Sequence, residues 1–268
     1  MKIARTFVGA ALAIAFTTLI AAAQQPSPGY HSVACLKLKP DSAAEFRKFQ
    51  ADVAHKVAQG RIGDGELTAW YLLRSVLPQG ESTECDFLIV AIFPKMPHTF
   101  GAEQLDPAIK KAGLSITPDD YMKRRDSLVK VVSTAVYQNQ AAVGSPKKGD
   151  YFQVNYMKVA EDNLGDWVAY EKKVWQPLAE ALVKDGKEDG WSLNTRAMPF
   201  GSDLAFQGVT VDVFPSMDAV FENDPQFIDR FRKVHPDMEF GTTIERFAKL
   251  RTQALVELFV LEDIVTAQ

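Results

Sequence analysis

The chain contains 268 residues, of which 47% are hydrophobic and 24% charged, a composition typical of globular proteins that excludes a disordered polymer. Its 30 basic and 34 acidic side chains give a net charge of −4. This charge disfavours a nonspecific nucleic-acid binder, because such proteins present a basic surface. The two cysteines and four histidines form no HExxH or CxxC pattern. We therefore expect neither a metal site nor a nucleic-acid partner.

Residues 1–23 have the pattern of a secretory signal peptide. Lys2 and Arg5 precede a short apolar run, and small residues follow it up to Ala23. The apolar run is shorter than the ~20 residues that a membrane span needs, and no later segment could span a bilayer. We predict cleavage near Ala23, a flexible leader over 24–29, and export to the periplasm or the extracellular space.

The sequence repeats itself with an offset of 121 residues. Residues 30–100 align without a gap on 151–221, and 17 of these 71 pairs are identical, against ~6% expected by chance. A polar stretch with glycine and proline lies between the copies. We predict a first repeat over 30–138, a linker over 139–149 and a second repeat over 150–268.

Each copy shows the same order of predicted elements. Alternating apolar residues predict strands at 30–38, 69–76, 85–93 and 132–138, and at 151–159, 190–197, 206–214 and 254–262. The helix after the first strand begins at Ser42 or Asn163, each with an acidic residue three positions on, the capping-box spacing. Two further helical segments precede each last strand. The order β-α-β-β-α-β is that of a ferredoxin-like unit. We predict an α+β protein with two tandem ferredoxin-like units, packed sheet to sheet as a pseudo-dimeric α/β barrel.

Four segments of the second copy carry a resemblance to a known superfamily. They are 156–159 (YMKV), 171–177 (EKKVWQP), 189–193 (DGWSL) and 213–217 (VFPSM). They resemble exported bacterial proteins of the dimeric α/β-barrel superfamily, which includes antibiotic-biosynthesis-monooxygenase-like and NIPSNAP-like groups. The resemblance implies the fold predicted above. Members range from cofactor-free oxygenases to haem enzymes, and haem would need an axial ligand such as His98 or His235.

Comparison of the copies predicts which face of each sheet meets the helices. Leu88, Val90 and Ile92 correspond to three valines at 209, 211 and 213, so we expect this aliphatic face to pack on the helices. The opposite faces differ between the copies. In the second copy they carry the residues that we predict to line a ligand cleft between the sheets: Tyr156, Lys158, Asn194, Arg196 and Asp212.

The predicted cleft suits a small organic ligand with anionic or aromatic character. Lys158 and Arg196 are available for an anionic group, Asp212 as a base and Tyr156 as an aromatic wall. The alternative is an internal ion pair with water, or a solvated face without function.

The two cysteines occupy neighbouring antiparallel strands of the first copy. Cys35 lies late in one strand and Cys85 early in another, and Tyr156 and Phe206 replace both in the second copy. In an oxidising compartment this favours a Cys35–Cys85 disulfide. Two buried thiols or a reactive pair are the alternatives.

We therefore predict an exported small-molecule-binding protein without a cofactor. A cofactor-independent oxygenase or isomerase-like enzyme that uses the same cleft is one alternative, and a structural module without a small ligand is another. Self-association into a homo-oligomer is compatible with each of these three functions.

Overall fold

The computed structural model describes residues 29–80, 83–98, 101–201, 203–222 and 224–267. The predicted signal peptide lies outside the described residues, as does the leader except for Gly29. None of the helices in these ranges is long and apolar enough to cross a membrane.

The strands of the described chain form one closed antiparallel barrel. They are β1 (Tyr30–Leu38), β2 (Ala69–Leu77), β3 (Phe87–Phe93), β4 (Val129–Gly144), β5 (Tyr151–Val159), β6 (Gly190–Met198), β7 (Gly208–Phe214) and β8 (Arg251–Thr266). The order around the barrel is β1-β3-β2-β8-β5-β7-β6-β4, and β4 returns to β1. Because neighbours are antiparallel, β1, β2, β5 and β6 all begin at one end. We call that end the upper end and the opposite one the lower end.

The two halves of the barrel have matching strand orders and registers. The orders are β4-β1-β3-β2 and β8-β5-β7-β6. Tyr30 lies opposite Phe93 in the first half, and Tyr151 lies opposite Phe214 in the second. Residues that are 121 positions apart in the sequence therefore occupy equivalent positions in the two halves of the barrel.

The long strands β4 and β8 join the halves. The first part of β4 pairs with β1 and its last part, 136–144, pairs with β6, while β8 likewise pairs with β5 and then with β2. The prediction of a linker over 139–149 is therefore wrong for 139–144. The two polar residues of this stretch bond to β6: the Asn139 amide donates to Asn194 Oδ1 (3.2 Å) and the Gln140 amide donates to the Thr195 hydroxyl (2.9 Å).

Helices cover the outside of the barrel. They are α1 (Ala43–Phe49), which continues through a π-helical segment (Gln50–Ala54) into α2 (His55–Gly63), then α3 (Leu105–Lys111), α4 (Pro118–Leu128), α5 (Leu164–Lys184), α6 (Met217–Phe221), α7 (Phe227–Val234) and α8 (Phe240–Leu250). The predicted apolar stripe of α5 is confirmed as core: Trp167, Tyr170, Val174 and Leu178 are buried. Trp167 packs so closely on Gly208 that a Cβ there would overlap its ring.

The predicted capping boxes do not form. The Ser42 hydroxyl lies 2.7 Å from the carbonyl oxygens of both Lys39 and Leu128, which share its single proton, and neither Ser42 nor Asn163 makes a side-chain cap. A 3₁₀ turn, Glu161–Asn163, leads into α5 instead. The expected cap before Pro118 is present, since the Thr117 hydroxyl accepts from the Asp120 amide (3.1 Å).

The faces of β3 and β7 are the reverse of those predicted. Leu88 lies opposite both Cys35 and Leu73, and these three belong to the core inside the barrel. Directly opposite residues of antiparallel strands share a face. The aliphatic face with Leu88 and Val209 therefore points inward, whereas Asp212 points outward beneath the helices. The prediction was wrong because both faces are covered here, so an aliphatic face does not by itself identify the helix side.

Cys35 and Cys85 form the predicted disulfide. It links β1 to the segment just before β3 and contributes to the core inside the barrel. The bond closes a loop between residues that are 50 positions apart. Chain-entropy arguments give about 4 kcal/mol for closing a loop of this length.

We expect reduction of this bond to lower the free energy of unfolding by about 2–4 kcal/mol, because the unfolded chain regains the entropy of the open loop. Urea unfolding with and without a thiol reductant measures the difference. A Cys35→Ala/Cys85→Ala variant is the control and should not respond to the reductant. Identical unfolding curves for the oxidised and reduced protein would contradict the prediction.

Candidate functional site

A cavity of about 730 Å³ lies inside the barrel and reaches its upper end. Its walls are mainly apolar and are formed by Val33, Leu73, Leu88, Val90, Ile92, Phe152, Val154, Val209, Val211 and Val213. Residues at the upper end, among them Thr68, Lys95 and Gly190, surround its opening. The volume is within the range of about 300–1,000 Å³ that is usual for small-molecule sites.

A polar strip runs along the wall made by β4 and β6. The Asn139 amide donates to Asn194 Oδ1 (3.2 Å), and the Asn194 amide donates to Ser192 Oγ (3.1 Å). All three residues line the cavity. These bonds leave the hydroxyl proton of Ser192 and the side-chain amide oxygen of Asn139 available for hydrogen bonds to a ligand.

His31 and Tyr71 add two more hydrogen-bonding groups to the cavity wall. Burial lowers the pKa of His31 to about 4, so its imidazole is neutral at pH 7. Burial raises the pKa of Tyr71 to about 12, so its phenol stays protonated. Neither was a predicted site residue. His31 shares its inward parity with Val33 and Cys35 along β1, which is the sequence signal that could have identified it.

Tyrosine side chains in the lower wall of the cavity interact with a guanidinium group and a phenyl ring that lie below it. The Arg196 guanidinium donates to the Tyr137 hydroxyl (3.0 Å) and lies 4.4 Å from the centre of the Phe206 ring. Tyr156 packs on the same ring, with 4.5 Å between centroids, and its hydroxyl donates to Glu257 (2.8 Å). Arg196 itself does not line the cavity. Its interactions with the two rings hold this half-buried side chain in place.

The structure brings together two of the five predicted ligand residues. Tyr156 and Asn194 line the barrel cavity, whereas Arg196 lies below it. Lys158 is exposed at the lower end of β5 and lines a different cavity. Asp212 lies on the outer face, so the predicted base does not reach the barrel interior. The reversed parity of β7 is the physical reason.

Asp212 belongs to a group of buried carboxyls between the barrel and α5. The Asn155 amide donates to Asp212 (2.7 Å), and the Trp167 indole donates to Glu171 (2.9 Å). Burial and the charge of Asp212 raise the pKa of Glu188. Burial raises the pKa of Glu171 to about 8, against the opposing effect of Arg251. Glu171 is therefore mostly protonated at pH 7.

The two histidines considered as haem ligands do not line the barrel cavity. His235 is buried against α5, with Nε2 2.9 Å from the Val174 carbonyl oxygen, and His98 is exposed beyond the end of β3. The imidazole that lines the cavity is that of His31.

We expect Glu171→Gln to change the pH dependence of stability. Between pH 4.5, the ordinary pKa, and about 8, native Glu171 holds a proton that the unfolded chain has released, so stability falls as pH rises. The amide keeps an oxygen for the Trp167 indole and has no proton to lose. Above pH 8 the variant should be more stable than the parent by more than about 1.4 kcal/mol, the equivalent of one pKa unit.

Urea unfolding at pH 5, 7 and 9 measures this effect. Glu180→Gln is the matched control, since Glu180 is an exposed residue of the same helix. Parallel stability curves for Glu171→Gln and the parent across this range would show that Glu171 is ionised in the native protein.

Comparison with known proteins finds similarity in structure but not in sequence families. No family model matches the chain, and no curated protein matches it. Two solved structures named "putative monooxygenase" have the same fold with a TM-score of 0.58 each. The one from Fusobacterium nucleatum is 10% identical and the alignment covers 90% of this chain and 96% of that chain. The one from Lactobacillus acidophilus is 12% identical and covers 89% and 96%.

An "anthrone oxidase-like protein" is also similar, with a TM-score of 0.50, 10% identity, and coverage of 91% of this chain and 94% of that chain. Identities this low establish shared architecture and leave activity open. The chain therefore shares its mixed α+β architecture with these three solved structures, and a single chain supplies the eight strands of the described barrel.

Proposed function

We propose that this protein binds a neutral, largely apolar small molecule inside the barrel. The observation that carries this proposal is the charge distribution of the cavity. Its polar wall groups, the imidazole of His31, the phenols and the amides of the β4–β6 strip, are uncharged at pH 7. Lys95, an exposed residue at the upper opening of the cavity, is the one charged residue among the described lining residues.

An aromatic ligand fits this cavity better than the anionic one considered from sequence. An anion inside the barrel would need a cation to offset its loss of hydration, and Arg196 lies below the cavity and not in its wall. Tyr71, Phe152 and Tyr156 offer ring faces and edges to a flat ligand instead.

We further propose that the protein acts after export and that its halves are duplicated ferredoxin-like units. The signal-peptide pattern and the Cys35–Cys85 disulfide support export, because disulfides persist in oxidising compartments. The equal strand orders and registers of the halves support duplication.

The binding proposal predicts that N-phenyl-1-naphthylamine, a neutral aromatic dye, binds with a stoichiometry of one and gains fluorescence. Val211→Trp should weaken this binding at least tenfold, because Val211 lines the cavity and the larger ring fills it. Val256→Trp places the same ring on an exposed strand position and is the control. Fluorescence titration measures both. Equal affinities for the parent and Val211→Trp would rule out the barrel interior as the site.

A cofactor-free oxygenase is the second candidate, and His31 is the observation that favours it. The neutral imidazole of His31 has a free nitrogen that can accept a proton from a weakly acidic substrate, although burial lowers its pKa to about 4 and makes it a weaker base than an exposed histidine. The resulting carbanion can react with O₂ directly. The similar folds named monooxygenase and anthrone oxidase-like suggest anthrone as a test substrate. One O₂ per anthrone would yield anthraquinone and water.

This candidate predicts O₂ uptake with anthrone above the uncatalysed rate. His31→Gln should reduce the enzymatic rate at least tenfold, because glutamine keeps a hydrogen-bonding group but cannot accept the proton at this pH. His235→Gln, a substitution outside the cavity, is the control. An oxygen electrode measures the rates. A protein that binds aromatic ligands without accelerating O₂ uptake is a binding protein and not this oxygenase.

A further inference from the structure

A second cavity, of about 460 Å³, lies at the lower end of the second half. It is lined by the end of β5, the start of α5, the β6–β7 loop and the junction of α8 with β8. It shares no lining residue with the barrel cavity. We call it the rim cavity.

The rim cavity concentrates positive charge on an acidic protein. Lys158, Lys249 and Arg251 line it, and Glu161 is the acidic residue among its described lining residues. Three cations against one anion give the lining a charge of +2, whereas the whole chain carries −4. Concave cationic surfaces of this kind attract small anions.

Comparison of the two halves shows that Lys158 lacks a counter-ion that its equivalent possesses. In the first half, Lys37 pairs with Asp86 at 3.0 Å, and the same carboxylate accepts the Leu38 amide at 2.7 Å. In the second half Gln207 replaces that aspartate, and its side-chain oxygen accepts the equivalent amide, that of Val159, at 3.0 Å. The hydrogen bond from the backbone amide to the side chain is therefore kept in the second half, whereas the negative charge that pairs with the lysine is absent. Within the described ranges, Lys158 makes no ion pair.

Arg251 lies on the strand next to that of Lys158. Lys158 pairs with Thr252 and Val159 with Arg251 in the β5–β8 register, so the two side chains leave opposite faces of the sheet, and both line the cavity at its lower end. The buried Arg251 Nε has no hydrogen-bond partner, and its nearest carboxylate oxygen, on Glu171, is 3.9 Å away. Glu171 is mostly protonated at pH 7, which leaves the charge of Arg251 largely uncompensated. Two cations thus line the same cavity without a full counter-ion.

We propose that the rim cavity is a binding site for a phosphate group, free or carried by a small ester. A phosphate dianion supplies the charge and the several acceptor oxygens that a lysine and an arginine together can satisfy. Phe200 lines the same cavity and is 59% exposed, so an aromatic body attached to the phosphate has a ring to contact. This site does not depend on the ligand proposed for the barrel interior.

Isothermal titration calorimetry with phenyl phosphate, inorganic phosphate and phenol tests the proposal on the full exported chain. Phenyl phosphate should bind with a stoichiometry of one, more weakly at higher salt, and phenol should not bind at this site. Tighter binding of phenyl phosphate than of inorganic phosphate identifies an ester as the ligand, and equal affinity identifies free phosphate.

Two variants separate the site from adventitious surface charge. Lys158→Gln should weaken phosphate binding at least tenfold. Gln207→Asp should do the same by giving Lys158 the counter-ion that Lys37 has, in a side chain that the first half already accommodates. Lys37→Gln and Val211→Trp should leave the affinity unchanged. Absence of phosphate binding by the parent, or unchanged affinity in Lys158→Gln and Gln207→Asp proteins with parental melting temperatures, would overturn the proposal.

Discussion

Closure of the sheet by β4 and β8 is the constraint on which the rest of the structure depends. Each of these strands has 16 residues and bonds to both halves of the chain. An open sheet would leave edge strands with unpaired backbone groups, and closure removes most of that liability. Closure also separates an inner face, which water reaches only from the ends, from an outer face covered by helices. The cavity is a consequence of this geometry, because the described side chains do not fill the interior.

The two covered faces accommodate polar groups in different ways. In the wall of the barrel cavity the polar groups are neutral and several bond to one another, as along Asn139, Asn194 and Ser192. Beneath α5, burial favours the protonated form of Glu171 over the charged one. Uncompensated positive charge is found at the lower end of the second half, at Lys158 and Arg251. An apolar ligand and an anionic one would therefore be recognised in different places, which a single cleft between two sheets would not have allowed.

The sequence was sufficient to predict those features that depend on local pattern or on comparison of the copies. Strand starts at Tyr30 and Tyr151, the buried stripe of α5 and the Cys35–Cys85 bond agree with the structure. The inward direction of Tyr156 and Asn194 also agrees. Alternation along β3 and β7 showed two different faces but could not show which one was inside. The pairing of Cys35 with Leu88 identifies the inner face, and this pairing is known only from the register of the strands. The last part of β4 was predicted as linker because Asn139 and Gln140 are polar, and their amides bond to the neighbouring strand β6.

A crystal structure of the protein soaked with 2-bromonaphthalene tests the central claim most directly. This compound is neutral and aromatic, it is smaller than the cavity, and bromine can be located by its anomalous scattering. The account predicts a bromine peak inside the barrel, in contact with the walls that include Phe152 and Tyr156. A peak between the barrel and α5, with none in the barrel interior, would contradict it.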